Sequence, residues 1–429
     1  MKILLVTYTY PPSKSVNGFR PHYFAKTLAQ HGYDVHVLTR HFTGLEKFNQ
    51  YNEVNLTPFS ISREEGVCVF RTPFENTWFK YHKISWIKNS GLWRFIYLIQ
   101  LAVGRTTQES YNKWFKPYLI KLLKEYVYDL ILVESGPTNL VNLVHNISTQ
   151  FKIPYAIDFR DAYFHEMHLK NQQTLPVRKK LKLFFEKYYM KQSIQNSLFC
   201  ISISDSLHKI LDVPEEKREI ILNGYDENIW STLPESDVTR DFKIVIGGKL
   251  YDRDFLEPFL HAIYLFLSKS PENVRVLFIA PGDISIHDII QAKLPFSSVQ
   301  IIKDRLSYEE TLIELSSAQV LMYHGWKGYT GIPGTKIFDY LRSGKNILIV
   351  PRDLDIIDEL LLETKRGVSL DDPDKAAEQL NNWYQEWKSG EASKSYVMDE
   401  AIIHRYSREY QNDLLVKMIP RRLEARLKT

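Results

Sequence analysis

The sequence predicts an α/β fold made of two doubly wound, Rossmann-like domains, and three observations carry that expectation. Residues 2–9 form an unbroken apolar run without alternation, the pattern of a strand buried on both faces of a parallel sheet. That run is followed by loop, helix and strand in the order of a right-handed crossover. The same order starts again near residue 242, after the polar stretch 231–241, which has the composition of a linker.

Taken in order, the first set opens with the strand at 2–9 and a loop holding Pro11, Pro12, Asn17 and Gly18. A helix is expected over about 19–31, closed by Gly32, with a strand at 34–39. Strands follow at 129–134 and 155–159 around a helix at about 138–148. A long helix at about 175–196 precedes strands at 198–203 and 219–222. The second set has strands at 242–246, 274–280, 299–302, 319–323 and 346–350, with helices at about 255–268, 307–317 and 335–342. A last helix, about 397–418, lies beyond it. The expected domains are therefore 1–235 and 240–396, with 397–429 packing back on the first.

Composition sets limits on function. A chain of 429 residues has room for two domains, and 44% hydrophobic with 25% charged residues is globular. A net charge of +4 gives no argument for nucleic acid. The two cysteines, Cys68 and Cys200, imply neither a disulfide framework nor a cysteine metal site. No signal peptide and no apolar run of the ~20 residues that span a bilayer is present, so a soluble or peripherally attached protein is expected. Residues 78–97 mix Trp and Tyr with Lys and Arg and carry no acid. That mixture suits either an anionic headgroup layer or an aromatic helix pair packed on the domain.

The chemistry concentrates in residues 328–350. Gly331 and Gly334 make a loop that a ligand can approach closely, Pro333 presets the turn, and Gly344 stops the helix. Helical spacing sets Ile337, Phe338 and Leu341 on a buried side, with Lys336 and Asp339 on another. Free amides, a helix dipole and Lys336 together suit a diphosphate, and Asp339 suits a pair of vicinal hydroxyls. Taken alone, the local pattern slightly favours an ordinary strand–loop–helix with a solvated Lys and Asp. Gly248, Lys249 and Arg253 follow the first strand of the second set, and could clamp the diphosphate from the opposite side. Arg305, after a neighbouring strand, joins them as a donor-site candidate. In the first set, Gly18 and Arg20 occupy the first strand-to-helix turn, and Arg160 and Asp161 end another strand. Those positions face acceptor or phosphate, or else serve a structural Arg–Asp pair. No nucleophile–His–Asp order and no His-x-x-x-His pair is evident.

With these residues in hand, the chain resembles the retaining GT-B glycosyltransferases of family 4, of the bacterial surface-polysaccharide type, along nearly its whole length. The resemblance rests on five segments in order: 9–39, Asp158-Phe-Arg-Asp161, 203–226, Gly248-Lys249 with Arg253, and 334–344. It implies two domains facing an inter-domain cleft and metal-independent transfer of a sugar, with retention, from a nucleotide diphosphate sugar; a UDP-sugar is favoured. No cofactor is implied. Lys249 and Arg253 would neutralise the leaving diphosphate, the Gly334 and Thr335 amides would assist, Asp339 would hold the ribose, and Arg160 would stand near the reacting sugar. The implied acceptor is a lipid-linked glycan, with the enzyme in the cytoplasm, peripheral on the inner face of the cell membrane. Gly331 falls where many relatives carry a glutamate. A catalytically silent nucleotide-binding or scaffold protein, and a nucleotide-sugar epimerase, are the alternatives.

Overall fold

The computed structural model describes residues 1–13, 16–42, 55–75, 108–136, 138–160, 177–234, 240–250, 255–325, 331–390 and 399–427. The chain divides into two compact units, Met1–Ile221 with Asn412–Thr429, and Leu222–Gln411. The division falls ahead of the polar stretch because Tyr225 and Trp230 are already buried in the second unit's core.

The first unit is an eight-stranded sheet in the order β3-β4-β2-β1-β5-β6-β7-β8. Its strands are β1 (Lys2–Val6), β2 (Asp34–Arg40), β3 (Ser60–Glu64), β4 (Val67–Thr72), β5 (Leu130–Glu134), β6 (Tyr155–Phe159), β7 (Cys200–Ser202) and β8 (Arg218–Ile220). All pairs are parallel except β3–β4, a hairpin on the edge that apolar patterning does not reveal. Helices α1 (Phe19–Gln30), α2 (Gln108–Trp114), α3 (Lys116–Glu125), α4 (Thr138–Phe151), α5 (Val177–Asn196) and α6 (Asp205–Ile210) lie between them. Without the edge strand β3, the order is that of a dinucleotide-binding sheet, with the chain reversing direction across the sheet between β1 and β5.

The second unit holds β9 (Phe242–Gly247), β10 (Val274–Ile279), β11 (Val299–Ile302), β12 (Val320–His324), β13 (Asn346–Val350) and β14 (Gly367–Ser369). Their order, β11-β10-β9-β12-β13-β14, is again the doubly wound one, with the reversal between β9 and β12. Ile244 and Ile246 of β9 enter one core and Val245 the other, so the sheet is covered on both faces. The helices are α7 (Glu227–Trp230), α8 (Leu256–Leu267), α9 (Ile284–Lys293), α10 (Tyr308–Ser316), α11 (Lys336–Ser343), α12 (Ile356–Thr364), α13 (Pro373–Ser389) and α14 (Glu400–His404).

The single final helix expected over about 397–418 is instead two. An Asp399 cap starts α14, and residues 405–407 break the run before α15 (Arg408–Leu427). Gly224, at φ +65°, lets this break approach: a Cβ there would lie 2.7 Å from the Arg408 nitrogen. Further along α15, Leu415, Met418 and Ile419 are buried against Leu28 and Phe24 of the first unit.

Candidate functional site

In doubly wound sheets ligands bind beyond the carboxyl ends of the strands, where the strand order reverses. In the second unit that point lies between the turn after β9 and the segment joining β12 to α11. Two tyrosines staple these turns in place. The Gly247 amide donates to the Tyr340 hydroxyl at 2.8 Å. The Gly334 amide donates to the Tyr323 hydroxyl at 3.3 Å. The rings of Tyr323 and Tyr340 meet edge-on with centroids 6.2 Å apart. Gly334 is required by contact, since a Cβ would sit 2.7 Å from the Tyr323 hydroxyl. Gly248 and Gly331, at φ +78° and +83°, occupy the left-handed region that glycine tolerates.

Lys336 bridges the two turns. Its Nζ donates to the Gly247 carbonyl at 2.9 Å and lies 4.8 Å from the centre of the Tyr323 ring. Among the described residues no carboxylate pairs with it. Burial without a counter-charge pushes its pKa down to about 8. Lys249 follows Gly248 in the facing turn and is exposed. Lys336, Gly248, Lys249, Thr335, Gly334 and Gly331 therefore gather at one sheet edge. Arg305 follows β11, the outermost strand, with β10 between that strand and β9. Arg253 and Asp161, and the segment 78–97, lie outside the described residues.

Asp339 is not offered to solvent on α11. Its Oδ1 accepts from Tyr308 Oη at 2.6 Å and from Trp230 Nε1 at 3.2 Å, and burial raises its pKa. Both bonds fall on Oδ1, so Oδ2 keeps its lone pairs for a further donor. A carboxylate nearer the glycine loop comes from Asp355, which accepts the Gly331 amide. Asp353, also buried, accepts the amides of Asp355, Ile357 and Asp358 at 3.0–3.1 Å, and burial lifts its pKa to about 6. Between these two acids Leu354 is 63% exposed at φ +57°. A non-glycine residue held in that region marks a constrained loop.

The corresponding edge of the first unit is closed by ion pairs. Arg20 is buried, with Nε 2.8 Å and Nη2 2.9 Å from the two Asp158 oxygens, and its guanidinium stacks on Phe24 at 4.6 Å. Arg160 Nη1 donates to Glu134 Oε1 at 3.2 Å. The Thr7 hydroxyl, just past β1, donates to the other oxygen of Glu134, which ends β5. Gly18 precedes α1 at φ −81°, where a Cβ would make only ordinary contacts at 3.5 Å, so neither backbone nor space demands glycine there.

Sequence reasoning missed Glu134, Tyr323, Tyr340, Asp353 and Asp355. Tyr323 and Tyr340 stood inside the segments read as strand and helix, and a polar tip at a buried position was the available signal. Glu134 and Asp355 close onto partners that only the fold brings near.

No protein-family model and no curated protein sequence matches this chain. Solved structures match over their full length. A sucrose-phosphate synthase from Thermosynechococcus elongatus superposes at TM-score 0.63 with 15% identity, covering 99% of both chains. A UDP-forming alpha,alpha-trehalose-phosphate synthase from Burkholderia vietnamiensis gives 0.63 and 11%, again covering 99% of both. The Anabaena protein HepE, solved in complex with UDP, gives 0.59 and 12%, covering 98% of this chain and 100% of its own. The fold is GT-B. Within that GT-B frame, the Lys336 turn and the Arg160–Glu134 pair each sit at the reversal point of one of the two Rossmann-like sheets.

Proposed function

We propose that this chain is a glycosyltransferase that takes a sugar from a nucleotide diphosphate sugar, a UDP-sugar in the favoured case. The observation that carries this reading is Lys336: a half-buried ammonium between two stapled glycine turns, with no carboxylate partner among the described residues, at the place where doubly wound sheets take ligands. A diphosphate supplies the missing counter-charge. Similarity to a UDP-forming synthase and to a UDP complex supports the uridine nucleotide.

In this reading Lys336, Lys249 and Arg253 stabilise the negative charge that grows on the departing diphosphate, which is where electrostatic catalysis has most effect. Thr335 and Gly248 bring the backbone close to the phosphates. Asp355, which accepts the Gly331 amide, brings a carboxylate beside the position, Gly331, where the resemblance expects a glutamate. Arg160, oriented by Glu134, and Arg20 serve the acceptor side. Retention of configuration, membership of family 4, a lipid-linked surface-polysaccharide acceptor and peripheral attachment at the inner membrane face through 78–97 complete the proposal.

Thermal shift against a panel of nucleotide diphosphate sugars, followed by donor consumption with and without acceptor, tests it. A rise in melting temperature with one sugar nucleotide and release of its nucleoside diphosphate is expected. Binding of UDP with no sugar nucleotide ever consumed would favour the silent scaffold, and a changed sugar nucleotide without acceptor would favour an epimerase.

A further inference from the structure

Helix α5 carries an unusual outward face. Phe184 is 64% exposed and Tyr188 is 53% exposed. Lys180, Lys187 and Lys191 are exposed with them. These positions fall at helical spacing along one side. The docked side is distinct: Met190, Ser193 and Ile194 are buried, the Ser193 carbonyl accepts from Tyr155, and the Ser193 hydroxyl donates to Asn142 of α4. The one acid of the helix, Glu186, falls outside the exposed arc. Among the described residues none of the three lysines forms an ion pair.

Large rings facing water cost solubility unless something covers them. A face of rings flanked by flexible cations and free of acid matches one surface in particular, the headgroup layer of an anionic bilayer, where rings enter the acyl boundary and ammonium groups meet phosphates. A nucleic-acid groove would leave two rings projecting against a backbone with no base to stack on. We propose that this face of α5 docks the protein peripherally on an anionic lipid bilayer. No helix among the described residues is long and apolar enough to cross one. The proposal invokes none of residues 78–97 and does not depend on the sugar-transfer reading.

The test is co-flotation of the full chain with phosphatidylcholine vesicles that do or do not contain phosphatidylglycerol. The native chain should float with the anionic vesicles alone, and salt should reverse it. Replacing Lys180, Lys187 and Lys191 by Gln should weaken partitioning about 100-fold, from roughly 5-fold per lysine. The pair Phe184→Ser and Tyr188→Ser should weaken it about 10-fold. All five positions are exposed, so melting temperature should hold, and donor consumption in solution should be unchanged. Partitioning of these variants equal to that of the native chain, or equal binding to both vesicle types, would overturn the proposal. A chain with Trp86, Lys88, Trp93 and Arg94 made small and neutral separates the two attachments, since the α5 contribution should persist in it. Loss of all binding in that chain would contradict the role of α5. A native chain that floats yet consumes no sugar nucleotide would refute the transferase reading and leave this one standing.

Discussion

The two sheets share one topology and treat charge at their reversal points in opposite ways. In the first unit Arg20 has Asp158 and Arg160 has Glu134. In the second, Lys336 has a carbonyl and an aromatic face. Neutralised arginines hold the sheet edge. A lysine with no carboxylate partner among the described residues keeps a preference for an anion from outside. The difference shows that strand order alone locates an edge where a ligand can bind, while the charge bookkeeping at that edge decides which kind.

Breaking the closed edge should have the largest effect. Asp158→Ala strands Arg20 as a buried charge, and urea denaturation should show a loss of about 3–5 kcal/mol. A loss under about 1 kcal/mol would mean that water reaches Arg20 and that the pair is effectively at the surface. At the open edge, Gly334→Ala drives a methyl into the Tyr323 hydroxyl. The ring must shift from beneath Lys336, at a cost of about 1–3 kcal/mol, and UDP affinity should fall together with melting temperature. Unchanged stability and affinity would show that Tyr323 does not fix the loop.

The third contrast is with pH. Lys336 has a folded pKa of about 8 against its ordinary 10.5, so between those values the unfolded chain holds a proton that the folded chain has lost. Its contribution to stability therefore rises with pH through that window, and Lys336→Met should flatten the rise. Diphosphate affinity runs the other way, weakening above pH 8 as the free protein loses the charge the ligand needs. Potentiometric or calorimetric proton uptake on binding UDP near pH 8 checks the sign.

Much of this architecture was legible because buried parallel strands read as continuous apolar runs, as in residues 2–6 and 346–350. The hairpin strand β3, Ser-Ile-Ser-Arg-Glu, gives no such run because an edge strand need not be buried. The site was legible where chemistry is local: two glycines, a helix start and a lysine fall within six positions of one another, residues 331–336. It was not legible where partners are distant. Arg20 and Asp158 are 138 positions apart, and Trp230 reaches Asp339 across 109. Helical periodicity set Asp339 away from the buried side of α11, but Trp230 and Tyr308 bury that side as well.

The most direct test is titration of UDP into the native chain and into Lys336→Met at pH 7, with uridine as control. The account predicts that the substitution weakens UDP about 10- to 100-fold, the worth of one charge-assisted contact, and leaves uridine unaffected. Equal UDP affinities in the two proteins would contradict it.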